Sequence, residues 1–118
     1  EQKVELAQLI PDSKFLSDTL DGKFSGKFVY LSMGSMASID LELMDRLISA
    51  LSATNHKYIV SKGPLADQYD LPENCWGESY LPQTRILPLV DLVITHGGNN
   101  TVTESFYVGK PMIILNFT

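Results

Sequence analysis

Basic residues are scarce in this sequence. Nine Lys and Arg stand against 14 Asp and Glu, a formal net charge of -5 over 118 residues. A broad nucleic-acid surface needs clustered Lys and Arg, so that function class is excluded. A phosphate ligand is not, because a helix N-terminus holds an anion locally whatever the overall charge. Cysteine occurs once, as Cys75 beside Trp76. One cysteine rules out an intrachain disulfide framework and leaves no ligand cluster for a metal; it reads as a small buried thiol. No apolar run approaches the ~20 residues of a membrane span, so no membrane contact is expected in this segment. No signal peptide opens the chain, and its first residue is Glu1 rather than Met, as expected of a segment of a longer protein. Repeats and low-complexity tracts are also missing.

What is present suits one soluble globular domain: 44% hydrophobic and 19% charged residues. Residues 1–26 are mixed and polar and read as a lead-in or linker. Asp12 there is a candidate cap for a short helix carrying Phe15, Leu16, Thr19 and Leu20, with Gly22 as its stop. From residue 27 the pattern changes. Phe28 to Ser32 is a short β-rich apolar run that ends at Met33-Gly34-Ser35. Leu41, Met44, Leu47, Ile48 and Leu51 then recur at helical spacing, with Ser38 or Asp40 as N-cap. Further strands are predicted at Lys57–Ser61, Asn74–Gly77, Leu92–Thr95 and Met112–Leu115. A helix is predicted from about Thr101 to Val108, stopped by Gly109 and Pro111. Alternating strands and helices, with strands apolar on both faces, predict an α/β fold: a Rossmann-like parallel sheet with helices on both faces. Ligands in such sheets sit outside the carboxyl ends of the strands.

The segment from Ile94 to Glu104 carries the most chemical information. A buried strand ends in His96, Gly97 and Gly98 follow, and a helix begins after Asn99, Asn100 and Thr101. Glycine lets the backbone approach a ligand closely. The helix start offers free N–H groups and the positive end of its dipole, which suits a pyrophosphate. The segment is neither G-x-G-x-x-G nor a Walker loop. Glu104 lies at i+3 from Thr101, where a carboxylate can accept hydrogen bonds from sugar hydroxyls; the same spacing also makes a capping box. His96 has two readings of its own, a phosphate ligand or a satisfied core histidine. His56, in a polar turn, reads as a solvated loop residue.

His96-Gly97-Gly98-x-Asn100-Thr101-x-x-Glu104, preceded by Tyr80-Leu81-Pro82-Gln83 and followed by Gly109-Lys110-Pro111-Met112, resembles the signature of UDP-glycosyltransferases with the GT-B fold. Met33-Gly34-Ser35 matches that family's first glycine loop. The resemblance covers roughly residues 27–118 and assigns them to the UDP-sugar-binding, C-terminal half of the fold, incomplete at its C-terminal end. It implies that Tyr80, where the family has Trp, stacks on the uracil. The Leu81 backbone would bind the base edge and Gln83 the ribose. His96, with the N–H groups of Gly97, Gly98, Asn99, Asn100 and Thr101, would hold the diphosphate. Glu104 would bind the ribose hydroxyls, and Ser35 would reach the phosphates or the donor sugar. Two departures stand out. Asn116 lies near an expected proline, and the family's Asp-Gln pair, which contacts the donor sugar, falls beyond Thr118.

The resemblance further implies transfer of a hexosyl group from a UDP-sugar to a small acceptor, with inversion. No metal or cofactor would be required, the UDP-sugar being a co-substrate. The catalytic base would lie in an N-terminal acceptor-binding domain outside this chain, so the isolated chain would be inactive. Three alternatives stay open at this point: a non-catalytic interaction module, a donor-binding subunit of a split transferase, and a sugar-nucleotide epimerase. Asn99-Asn100-Thr101 and Asn116-Phe117-Thr118 are N-x-[ST] sequons. A glycan on the first would block the phosphate site, which points toward the cytoplasm over the endoplasmic reticulum lumen without deciding between them.

Overall fold

The computed structural model describes residues 2–11, 15–17, 24–34, 40–96, 103–105 and 107–115. Five strands form one sheet: β1 (Phe28–Ser32), β2 (Lys57–Ser61), β3 (Cys75–Glu78), β4 (Leu92–Thr95) and β5 (Met112–Ile114). All neighbouring pairs are parallel, in the order β3-β2-β1-β4-β5. The chain thus builds outward from β1 in one direction through β2 and β3, then returns to its other side for β4 and β5. The gap between β1 and β4 is the topological switch point, where the outgoing connections part and leave a crevice.

Alternation along β1 divides the core. Phe28 and Tyr30 face one apolar layer, together with Ile59 and Val93. Val29 and Leu31 face the other, together with Tyr58, Val60 and Ile94. Both layers are covered over β1, β2 and β4, which is why these strands read as continuous apolar runs, whereas Ile113 and Ile114 of the edge strand β5 are exposed. The second layer is closed by α2 (Leu41–Ser52) through Met44 and Ile48. Asp40 caps α2, accepting a hydrogen bond from Leu43 N at 3.1 Å and so meeting one of the four unsatisfied donors of the first turn.

The first layer is closed by α1 (Gln2–Leu9), by α3 (Gln83–Ile86) and by the 3-10 turn Leu87–Leu89. The sequence predicts no helix before Asp12, yet Leu6 of α1 and Ile10 after it are buried in the layer that holds Phe28 and Tyr30 of β1. Phe15 and Leu16, marked in the sequence as apolar positions of a short helix, are helical and buried in the same layer. The proposed Asp12 cap and Gly22 stop lie outside the described residues. Lys57 braces this end of the sheet: its ammonium donates to Phe15 O and lies 5.1 Å from the ring centres of both Phe15 and Phe24.

The sequence placed β3 one residue too early. Asn74 stays outside it because its side-chain amide donates to Leu51 O and His56 O, both at 3.0 Å. The strand instead runs on to Glu78, which pairs with Ser61. His56 is not simply solvated: its Nδ1 accepts from Lys27 N at 3.0 Å and pins the entry to β1. At the other end, residues 103–105 and 107 are helical. Gly109 has φ 71°, and Lys110 N donates to Ser105 O at 2.9 Å. That is a Schellman ending with glycine at C′, as the sequence predicted. No helix among the described residues is long and apolar enough to cross a membrane.

Candidate functional site

Strands β1, β2, β3 and β4 end level, through the paired residues Ser32–Ser61, Ser61–Glu78 and Ser32–Thr95. A parallel sheet with aligned ends presents its loops on one side, and the candidate residues gather there. Gly34 leaves β1 with φ 73°, a backbone state that costs other residues strain. His96 leaves β4 directly opposite. A Cβ on Gly34 would stand 2.2 Å from His96 Nε2. The first glycine loop is therefore shaped to accept the imidazole, and the two meet over the switch point between β1 and β4. His96 is half-buried at the strand's mouth rather than sealed in the core.

Beside this contact, a cavity of about 340 Å³ opens over the ends of β1, β2 and β3. Its polar wall is made by Tyr30, Ser32, Ser61, Ser79 and Gln83. Tyr80 and Leu81 close another side. Tyr80 is 72% exposed, so its ring face is open to a stacking partner. Glycine at position 63 lets the β2 exit turn with φ 81°.

Gln83 and Glu104, 21 residues apart in sequence, are joined: Gln83 Nε2 donates to Glu104 Oε2 at 3.2 Å. Helix α3 starts at Gln83 just after Pro82 and so directs this side chain toward the C-terminal helical segment that carries Glu104. Tyr30 OH in turn donates to Gln83 Oε1 at 3.1 Å. Burial is the main influence on Tyr30 and raises its pKa above 10.0. Hydrogen bonds with Ser32 and Ser61 pull the other way, and the Glu104 charge adds to the rise. The phenol thus remains a proton donor throughout the neutral range. Cys75, by contrast, faces the core; burial pushes its thiol up to about 12, so it takes no part as a thiolate.

Of the residues singled out in the sequence, Tyr80, Leu81, Gln83, His96 and Glu104 lie at the carboxyl end of the sheet. Gln83 and Glu104 touch, and His96 packs on Gly34. Ser35, Gly97, Gly98, Asn99, Asn100 and Thr101 lie outside the described residues. Tyr30, Ser32 and Ser61 were missed. A signal existed: both FVYLS and KYIVS are apolar strands that end in a serine, at the end where ligands bind.

A family model described as UDP-glucoronosyl and UDP-glucosyl transferase matches residues 12–118. The chain belongs to this family. Its curated relatives in the family include the "Uncharacterized UDP-glucosyltransferase YdhE" of Bacillus subtilis, 34% identical over 92 residues; the match covers 75% of this chain and 23% of that protein. A flavonol 7-O-beta-glucosyltransferase of Arabidopsis thaliana is 25% identical, with 90% of this chain and 25% of the relative covered. The chain thus spans about a quarter of the length of these relatives. Solved glycosyltransferases share the fold. The glycotransferase of kitacinnamycin superposes with a TM-score of 0.68 at 23% identity, over 80% of this chain and 26% of that one. A spinosyn rhamnosyltransferase complexed with thymidine diphosphate gives 0.62 at 26% identity, over 80% and 27%. The Rossmann-like parallel sheet of this UDP-glycosyltransferase family member is therefore that of GT-B enzymes, as the sequence resemblance implied.

Proposed function

We propose that this chain binds the nucleotide part of a UDP-sugar donor for a glycosyl transfer reaction. The observation that carries the reading is the meeting of His96 with Gly34 at the switch point, next to the Gln83–Glu104 pair. Tyr80 offers an aromatic face for the uracil, and the Leu81 backbone the base edge. Gln83 and Glu104 address the ribose hydroxyls, which a carboxylate accepts from strongly. In this reading His96 addresses the diphosphate, and the motif residues Gly97, Gly98, Asn99, Asn100, Thr101 and Ser35, which lie outside the described residues, would supply the remaining donors. Negative charge develops on UDP as it leaves, so N–H donors and a helix dipole fixed at that point would stabilise the transition state more than the ground state. The relatives named as UDP-glucosyltransferases support this donor class.

Transfer of a hexosyl group with inversion also needs an acceptor and a base to take its proton. Both belong, in this reading, to an N-terminal acceptor-binding domain of the parent protein, with no cofactor. The chain by itself is then a binder without turnover. Calorimetry of the chain with UDP tests the reading: saturable binding that Glu104→Gln weakens at least tenfold is the expected result. Equal affinity for UDP and for AMP would refute it.

A further inference from the structure

Glu104 is carried on a helical segment, and among the described residues the hydrogen bond that orients its carboxylate comes from Gln83, outside that segment. The fixing element comes from the core. A carboxylate only accepts hydrogen bonds at neutral pH, so the contact with Glu104 Oε2 must be made by the Gln83 amide nitrogen. The amide oxygen then faces Tyr30, and the Tyr30 hydroxyl must be the donor there. Each polarity determines the next, and the order Tyr30 to Gln83 to Glu104 has one consistent direction. Tyr30 is only 1% exposed, held by packing in the central strand, and its ring belongs to the apolar layer under α3. Its hydroxyl lies on the wall of the cavity with Ser32 and Ser61.

We propose that Tyr30 is a positioning residue for nucleoside recognition, acting through Gln83 to hold the Glu104 carboxylate where ribose hydroxyls meet it. The proposal rests on the nucleotide-binding reading above and adds a residue whose effect on the ribose runs through Gln83 and Glu104. A rigid strand residue at the root of the relay removes the need to order two flexible side chains upon binding, and such preorganisation is where affinity is gained. Tyr30→Phe deletes the donor and keeps the ring in place, so the fold is retained while the Gln83 amide oxygen loses the Tyr30 hydrogen bond.

The test compares UDP with 2′-deoxyuridine diphosphate on the unaltered chain, Tyr30→Phe and Glu104→Gln. Tyr30→Phe is expected to lower UDP affinity about fivefold, the worth of one neutral hydrogen bond, and to shrink the preference for the ribo ligand. A purely structural role would weaken both ligands equally. A Tyr30→Phe chain that keeps the full ribo preference, while Glu104→Gln loses it, overturns the role of Tyr30 and leaves the binding reading standing. A Glu104→Gln chain that keeps the preference overturns both. A second measurement needs no variant. In the unaltered chain the Gln83 side-chain amide protons should be protected from exchange with solvent, and freely exchanging protons would overturn the relay.

Discussion

Gly34 is the residue on which the site geometry turns. Its positive φ and its contact with His96 each exclude a side chain, and they do so independently. Gly34→Ala should cost about 1–3 kcal/mol through backbone strain alone. It should also push the imidazole away from the strand mouth. Denaturant melts would show the first effect and a displaced His96 ring signal the second; an unshifted His96 signal would contradict the close contact. Cys75 makes the opposite kind of prediction. With its thiol held near 12 by burial, it should resist iodoacetamide at pH 8 in the native chain and react only on unfolding. At this scale the sequence named Tyr80, Gln83, His96 and Glu104 through their motif. It could not reveal Tyr30, because a tyrosine in an apolar strand looks like core until its hydroxyl is seen to emerge beside Gln83.

Among the elements, β1, α2, β2 and β4 were legible because each carries a strong period or a bounded apolar run. Helix α1 was not: Val4, Leu6, Ala7, Leu9 and Ile10 spread apolar character around the helix with no one-sided period, and only the sheet beside them explains the burial of Leu6 and Ile10. The start of β3 was displaced for a similar reason, since Asn74 is recruited to cap carbonyls from α2 and the following turn. Strand β3 has a further constraint. A Cβ on Gly77 would stand 2.0 Å from Val60 O, the backbone of the adjacent strand. Gly77→Ala should therefore prise β3 from β2 and destabilise the chain by about 1–3 kcal/mol. Hydrogen exchange would register the loss first at the amides of β3. Because Ser79, Tyr80 and Leu81 follow directly, UDP binding should weaken with it. Unchanged protection across β3 would show that the strand gap is wider than described. Asp40→Ala, by contrast, removes only the cap of α2, at about 1 kcal/mol, and should leave the site untouched.

For the whole molecule, alkaline stability depends on three weak acids, the buried Cys75 and Tyr30 and the part-buried Tyr69. Cys75 and Tyr69 are raised by burial to about 12 from 9.0 and 10.0, and Tyr30 is raised as well. The native state holds these protons longer than the unfolded chain does. Their contribution to stability is therefore full below about pH 9 and is lost as the pH rises from about 9 toward 12. Thermal melts between pH 8 and 11 should show that decline, and a flat profile would contradict it. A parallel sheet was implied by alternating elements, but its order β3-β2-β1-β4-β5 and the level strand ends that gather Tyr80, Gln83, His96 and Glu104 exist only in the assembled sheet. The central claim is that this gathered end recognises a uridine nucleotide. Its most direct test follows backbone and side-chain amide signals of the chain during titration with UDP, with AMP as control. The account predicts saturable shifts at Gln83, His96 and Glu104 for UDP and none for AMP. A folded chain whose signals stay unmoved at millimolar UDP, or move equally for AMP, would contradict it.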